Sequence, residues 1–287
     1  NYMSENFKRY LNCYEWETVL PGSGAKIKYK PITTGQIKRL LLYEDMDDAV
    51  AIENAMDNLV TECVITEGFN IKDLFLQDRF FLTVEIRNVT KGNKYTFPST
   101  CMECGSQTFQ TVDLAKLPVK KLKKDDITIK LPIQEAQPKK KGKLTVVETK
   151  PETEKTSVKK EEIKPWNYIK INDNIGITVK LITRKLQEAV MTSLQDKTLT
   201  DEQRLVEVNL LSYAGAIESI ITPAGVETDI TFEDKIFFIN KLIPSEKEKI
   251  DEWYISHDFG IDFKFKVKCI HCGNEAERVI PLENFFY

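Results

Sequence analysis

The chain has 287 residues, 41% hydrophobic and 30% charged, and its 41 Lys and Arg against 44 Asp and Glu leave a net charge of −3. Such a chain can bury a real core in one or two domains, and its balance removes any global pull toward nucleic acid or an anionic membrane. No apolar run approaches membrane-spanning length and no basic-then-apolar leader opens the chain, so the expectation is a globular product of a reducing cytosol.

In chain order, apolar strand-like segments flank a Pro21-Gly22-Ser23-Gly24 turn. Thr33 or Thr34 then reads as the N-cap of a helix carrying Ile37, Leu40 and Leu41, which the acidic stretch Glu44 to Asp48 breaks. The next helix spans Ala49 to Ile65, with Ile52, Met56, Leu59, Val60 and Cys63 on one face, so Cys63 reads as a core residue. Asn70 or Asp73 opens another helix through Leu74, Phe80, Phe81, Val84 and Ile86, and a Gly92-Asn93 turn leads into a strand-like Lys94-Tyr-Thr-Phe-Pro. From Pro138 to Pro165 run nine lysines and five glutamates with few bulky apolar residues. Such a stretch cannot bury enough surface to offset the entropy of ordering, and reads as a solvated linker or as a basic strap for an acidic partner. A longer second half follows, with Trp253, His257 and a Phe259-Gly260 turn ahead of the strand-like Phe263 to Lys268. It closes on Phe285-Phe286-Tyr287, three aromatics costly to leave in water and expected to pack on a neighbour.

The two halves echo each other. Ile27 to Thr33 aligns with Ile177 to Thr183, Thr61 to Thr66 with Ile217 to Thr222, and Leu74 to Phe81 with Ile230 to Phe237. Each half ends in the same rare motif, Cys101-Met-Glu-Cys104-Gly105 and Cys269-Ile-His-Cys272-Gly273. A similar strand follows each at a common spacing, Val112-Asp-Leu114 and Ile280-Pro-Leu282. The expected fold is α+β and internally duplicated, each half a short strand pair plus helices ending in a C-x-x-C-G hairpin. Its parts are a first repeat over 1–137, a Lys/Glu-rich linker over 138–165 and a second repeat over 166–287.

Four of the six cysteines sit in these two pairs, while Cys13 and Cys63 stand alone, so metal is favoured over disulfides. Two cysteines across a tight turn aim both thiolates at one ion, and the glycine relieves crowding where the backbone turns. Cys101, Cys104, Cys269 and Cys272 therefore read as a zinc-ribbon-like set that saturates one structural Zn2+ and leaves no position open to activate water. An iron–sulfur cluster uses the same ligands and ranks second. A further alternative completes each knuckle with another chain. His271, between the second pair, points to solvent in this reading.

Catalytic patterns are missing. The chain has two histidines, and no Ser-His-Asp or Cys-His set, P-loop or dinucleotide fingerprint is present. Asp78 and Asp234 occupy equivalent positions near helix starts, where capping and dipole roles are favoured over a paired-carboxylate site. The reading is a non-enzyme.

The arrangement resembles the baseplate hub proteins of T4-like contractile-tailed phages. The resemblance rests on the Pro31-Ile-Thr element, the Leu-x-x-x-Asp-Arg-x-Phe pattern of Leu74 to Phe81, and the first C-x-x-C-G followed by Val112-Asp-Leu114. A second C-x-x-C-G near an aromatic C-terminus completes it. It implies a structural or assembly component at the hub, contacting tail-tube, spike or wedge proteins, located in the virion tail and made in the host cytoplasm. It implies no small-molecule substrate, and only the four cysteines carry over. The alternative is a nucleic-acid-binding zinc-ribbon protein of the transcription or translation factor type. Lys91, Lys94 and Lys116 near one knuckle and Lys264, Lys266, Lys268 and Arg278 near the other suggest it, and the interspersed glutamates weaken it.

Overall fold

A computed structural model of the chain describes residues 14–42, 48–125, 127–130, 161–195, 198–281 and 285. Cys13, most of the acidic break after α1, residues 138–160 of the Lys/Glu stretch, Leu282, Phe286 and Tyr287 lie outside the described residues.

Strands β1 (Trp16–Val19) and β2 (Lys26–Tyr29) form an antiparallel hairpin over the Pro21–Gly24 turn. Thr33 caps helix α1 (Thr34–Leu41) through a capping box with Gln36, which satisfies orphan amides at the helix start. Asp48 caps α2 (Ala49–Cys63), whose Leu59, Val60 and Cys63 are buried as the apolar spacing requires. Asn70 caps a single 3-10 turn over Ile71–Asp73, and the helix proper, α3 (Leu76–Lys91), starts after it. Gly92, at φ 84°, ends α3 and turns the chain into the hairpin β3 (Lys94–Thr100) and β4 (Gln107–Asp113).

The short strand β5 (Val119–Lys120) follows, then β6 (Ile127–Lys130), which pairs antiparallel with β7 (Glu161–Lys164). The last residues of the Lys/Glu stretch are thus part of a strand pair, where composition alone predicts an unstructured linker. Strands β8 (Tyr168–Lys170), β9 (Gly176–Val179), β10 (Ile217–Thr222) and β11 (Gly225–Glu227) make a four-stranded antiparallel sheet in the order β11-β10-β9-β8. Helices α4 (Arg184–Ser193) and α5 (Asp201–Ala216) connect β9 to β10, each opened by a threonine cap, Thr183 and Thr200. Helices α6 (Phe232–Lys241) and α7 (Pro244–Ser256) follow, then β12 (Gly260–Ile261) and the last hairpin, β13 (Lys264–Lys268) with β14 (Glu275–Val279). The architecture is mixed helix and strand with small sheets.

Two sequence alignments between the halves meet different fates. Ile27 to Thr33 and Ile177 to Thr183 both run from a strand into a threonine N-cap. Thr61 to Cys63 is the end of α2, whereas its aligned partner Ile217 to Thr222 is strand β10. The alike positions are Cys63 and Ala216, the last residues of α2 and α5, whose carbonyls accept from the amides of Lys30 and Lys180 at 2.8 and 2.9 Å. Periodicity could not place this, because β-branched residues suit both a buried helix end and a strand.

The main core contains β2, α2, α3 and the first hairpin, and the last hairpin closes it: Phe263, Phe265, Ile280 and Phe285 pack there. A second core lies between the four-stranded sheet and α7, and Phe75 and Leu122 from the first half reach into it beside Phe259. Backbone bonds cross as well, with Leu76 donating to Ile182, Arg184 donating to Leu74, and β12 pairing with β5. Phe285 is 7% exposed and sits edge-on to Tyr95 with ring centres 5.4 Å apart, so this one of the three terminal aromatics packs within its own chain.

Candidate metal centre

Each C-x-x-C-G segment is the tight end of a two-stranded hairpin, and the two ends are built alike. In the first, the Cys101 amide donates to the Ser106 carbonyl and the Gly105 amide donates back to the Cys101 carbonyl, both at 2.9 Å. In the second, Cys269 donates to Asn274 at 2.8 Å and Gly273 donates to Cys269 at 2.9 Å. Closing the turn this way requires a left-handed residue, supplied by Gly105 at φ 68° and Gly273 at φ 76°. With the turns fixed, both cysteine side chains of a hairpin project from the same side of it.

The hairpins meet because their inward faces are aromatic. Phe97 of β3 and Phe265 of β13 pack edge to face with centres 5.3 Å apart, and Phe80 of α3 meets Phe263 at 5.1 Å. This contact brings the four sulfurs together. Cys101 Sγ lies 3.7 Å from Cys272 Sγ, Cys104 Sγ lies 3.7 Å from Cys269 Sγ, and all four ligand atoms fall within 4.8 Å of one another. Four thiolates held about 2.3 Å from a tetrahedral ion stand about 3.8 Å apart. The arrangement therefore has the size such an ion needs and could hold one, in keeping with zinc.

The electrostatics ask for a cation. The Ser106 hydroxyl lies 3.0 Å from Cys104 Sγ and 3.5 Å from Cys269 Sγ. This hydroxyl, with backbone amides, pulls Cys269 down to about 5 and lowers Cys104. Cys272 moves the other way, up to about 12: the Asn274 amide favours its thiolate, but desolvation and the three neighbouring sulfurs outweigh that. The first deprotonations come easily and the last is opposed by negative charge already present, which a bound dication reverses. Ser106 is a contributor that motif reading passes over, and its place directly after the C-x-x-C-G glycine was the only signal.

The remaining sequence candidates separate. His271 is exposed, as a solvent-facing side chain would be. His257 stacks on Trp253 with centres 4.4 Å apart, and its Nδ1 lies 2.9 Å from the Trp253 carbonyl, a packing role. Asp234 caps its helix together with Thr231 as expected. Asp78 does something else: fully buried, it accepts from the amides of Gly22 and Ser23 at 2.7 and 2.8 Å, clamping the first turn to α3. A cleft of about 460 Å³ near Met191, Leu194 and Val208 includes Asp48 and Arg204 but no nucleophile–base pair.

The model of the T4 bacteriophage base plate protein family matches residues 13–287 of this chain. The chain belongs to that family. No curated protein and no solved structure matches it. As a member of the baseplate family it has a structural role in the phage baseplate, a place in the virion tail, and other phage structural proteins as partners. No helix of this baseplate protein, among the described residues, is long and apolar enough to cross a membrane.

Proposed function

We propose that this baseplate protein sits in the hub region, bearing on tail-tube, spike or wedge subunits through protein–protein contacts, with no catalytic activity of its own. In this reading Cys101, Cys104, Cys269 and Cys272 ligate one structural Zn2+, joining a first repeat over 1–137 to a second over 166–287. The observation that carries it is the convergence of four sulfurs from two like hairpins to the spacing of a tetrahedral ion. All four come from one chain, which supports an intramolecular site over knuckles completed by another copy. A multinuclear cluster would place its own iron and sulfide atoms between the thiolates and spread them further, so the spacing favours a single ion. A saturated S4 shell offers no open coordination position, which agrees with a non-enzyme.

An internal duplication is supported by the paired threonine caps, the matching Lys30–Cys63 and Lys180–Ala216 backbone bonds, and the two hairpin ends with the same hydrogen-bond pattern. The nucleic-acid reading draws less support. Lys268 pairs with Glu275 at 3.0 Å and Lys266 stands across from Glu277, so two of the three lysines on that face of the last hairpin are matched by acids.

Native mass spectrometry tests the metal: one zinc per monomer is expected, and iron, or none, removes the zinc centre. Purified contractile-tail particles should contain the chain near the baseplate axis. Recovery only from the soluble lysate would make it a transient assembly factor.

A further inference from the structure

The four sulfurs have a second chemistry available. Both 3.7 Å approaches, Cys101 to Cys272 and Cys104 to Cys269, run between the hairpins. A disulfide is about 2.05 Å long, so each pair has roughly 1.7 Å to close. Each pair also joins an exposed sulfur, Cys272 or Cys104, to a more sheltered one, Cys101 or Cys269. A small oxidant reaches the first, and the second waits as the resolving thiol. The hairpins do not need an ion to stay in register, because the Phe97–Phe265 and Phe80–Phe263 contacts hold them together. Within one hairpin the Gly105 and Gly273 amide bonds brace the turn so that both sulfurs face the common centre.

We infer that the cysteine cluster is a redox-convertible cross-link, in which a peroxide exchanges the thiolate set for two disulfides between the hairpins, Cys101–Cys272 and Cys104–Cys269. The inference rests on the metal-binding reading only for what is displaced. In each pair the exposed thiol, Cys104 or Cys272, attacks a peroxide oxygen as it gives up its proton, the O–O bond breaks, and a sulfenic acid forms with release of one water. The sheltered thiolate then attacks the sulfenic sulfur, the S–O bond breaks, and a second water leaves. The pair has lost two electrons, one peroxide has been reduced, and any bound dication departs hydrated. A part folded in a reducing cytosol and later exposed to oxygen and chelators would so keep its hairpins tied.

The test uses the full-length protein, stripped with EDTA and treated with hydrogen peroxide equal to the number of cysteine pairs, then digested with trypsin without reduction. The expected product is one cross-linked species joining the peptide Tyr95–Lys116 to Cys269–Arg278, lighter than the sum by the four thiol hydrogens. The double variant Cys101→Ser/Cys272→Ser should retain a single bridge between the same peptides. Separate peptides with internal disulfides, or sulfinic acids without a bridge, would overturn the inference. Zinc content, measured before stripping, is read independently. A zinc-free chain that forms the bridges sinks the metal centre alone, and a zinc-loaded chain that yields only in-hairpin disulfides sinks this inference alone.

Discussion

Asp78 illustrates how much a single buried side chain carries. Its carboxylate has no exposed surface and both oxygens accept backbone amides from a turn 55 and 56 residues earlier in the chain. Asp78→Asn keeps the shape but turns one acceptor into a donor facing an amide. It should lower stability by about 2 kcal/mol, read as a reduced urea midpoint with unchanged m-value. Burial also sets the response to alkali. It pushes the Cys63 thiol up to about 12, with the Glu62 charge adding to it, and raises the Tyr29, Tyr213 and Tyr254 hydroxyls, each for burial first. In the folded state these groups hold protons that the unfolded chain gives up from about pH 8.5 for cysteine and about pH 10 for tyrosine. The unfolded chain therefore binds fewer protons, and stability is full below about pH 8.5 and falls as pH rises toward 12. A melting series from pH 7 to about 11 should show this decline, and Cys63→Ala should flatten its first part. An unchanged melting temperature across the range would count against burial as the cause.

At the scale of elements, the hairpin ends are where the local rules are strictest. Gly105 and Gly273 have open space around the position of a Cβ, so replacing either with alanine meets no clash and costs only the left-handed backbone. Each change should cost about 1 kcal/mol. Because the turn aims the thiolates, each should also weaken zinc retention against a competing chelator. Loss of stability without loss of retention would show that the turn does not set the sulfur geometry. Arg87 plays a comparable part at the other end of the first hairpin. Buried in α3, its guanidinium donates to the carbonyls of Phe285, Gly92 and Lys94 and lies over the rings of Tyr95 and Phe285. One side chain thus ties the helix end, the hairpin start and the C-terminal aromatic, a role invisible in the local sequence because one of its three carbonyl partners is brought from 198 residues away.

Across the whole molecule, the halves are joined by more than sulfur. Asp57 of α2, nearly fully buried, contacts Arg79 Nε at 2.6 Å, Lys72 Nζ at 3.0 Å and Arg184 Nε at 2.8 Å. The Arg184 contact is one of charge, without hydrogen-bond alignment. Lys72 continues to Glu188 at 2.7 Å and Arg79 to Glu53 at 2.8 Å, so three cations balance three acids where α4 meets the first half. Removing one partner leaves buried charge unmatched, and Asp57→Ala should cost about 4 kcal/mol by chemical denaturation. Together with Phe263, Phe265 and the β5–β12 pairing, this network ties the halves without any contribution from the cysteine cluster. Chelation should then lower the melting temperature while leaving the sedimentation coefficient unchanged, and an expanded particle would restore the ion as the main tie.

Motif spacing was enough to pick out Cys101, Cys104, Cys269 and Cys272 as a group and leave Cys63 to the core, and a threonine cap was legible at Thr33 or Thr34, because turn chemistry and capping act within a few residues. The aromatic packing that seats the hairpins on each other, the clamp made by Asp78, the partner of Phe285 and the charge network around Asp57 were not legible. Their partners are distant in the chain and interact through contacts that no local pattern encodes. Burial then changes what those residues are: an acid near a helix start becomes a clamp, and four separate thiols become one site.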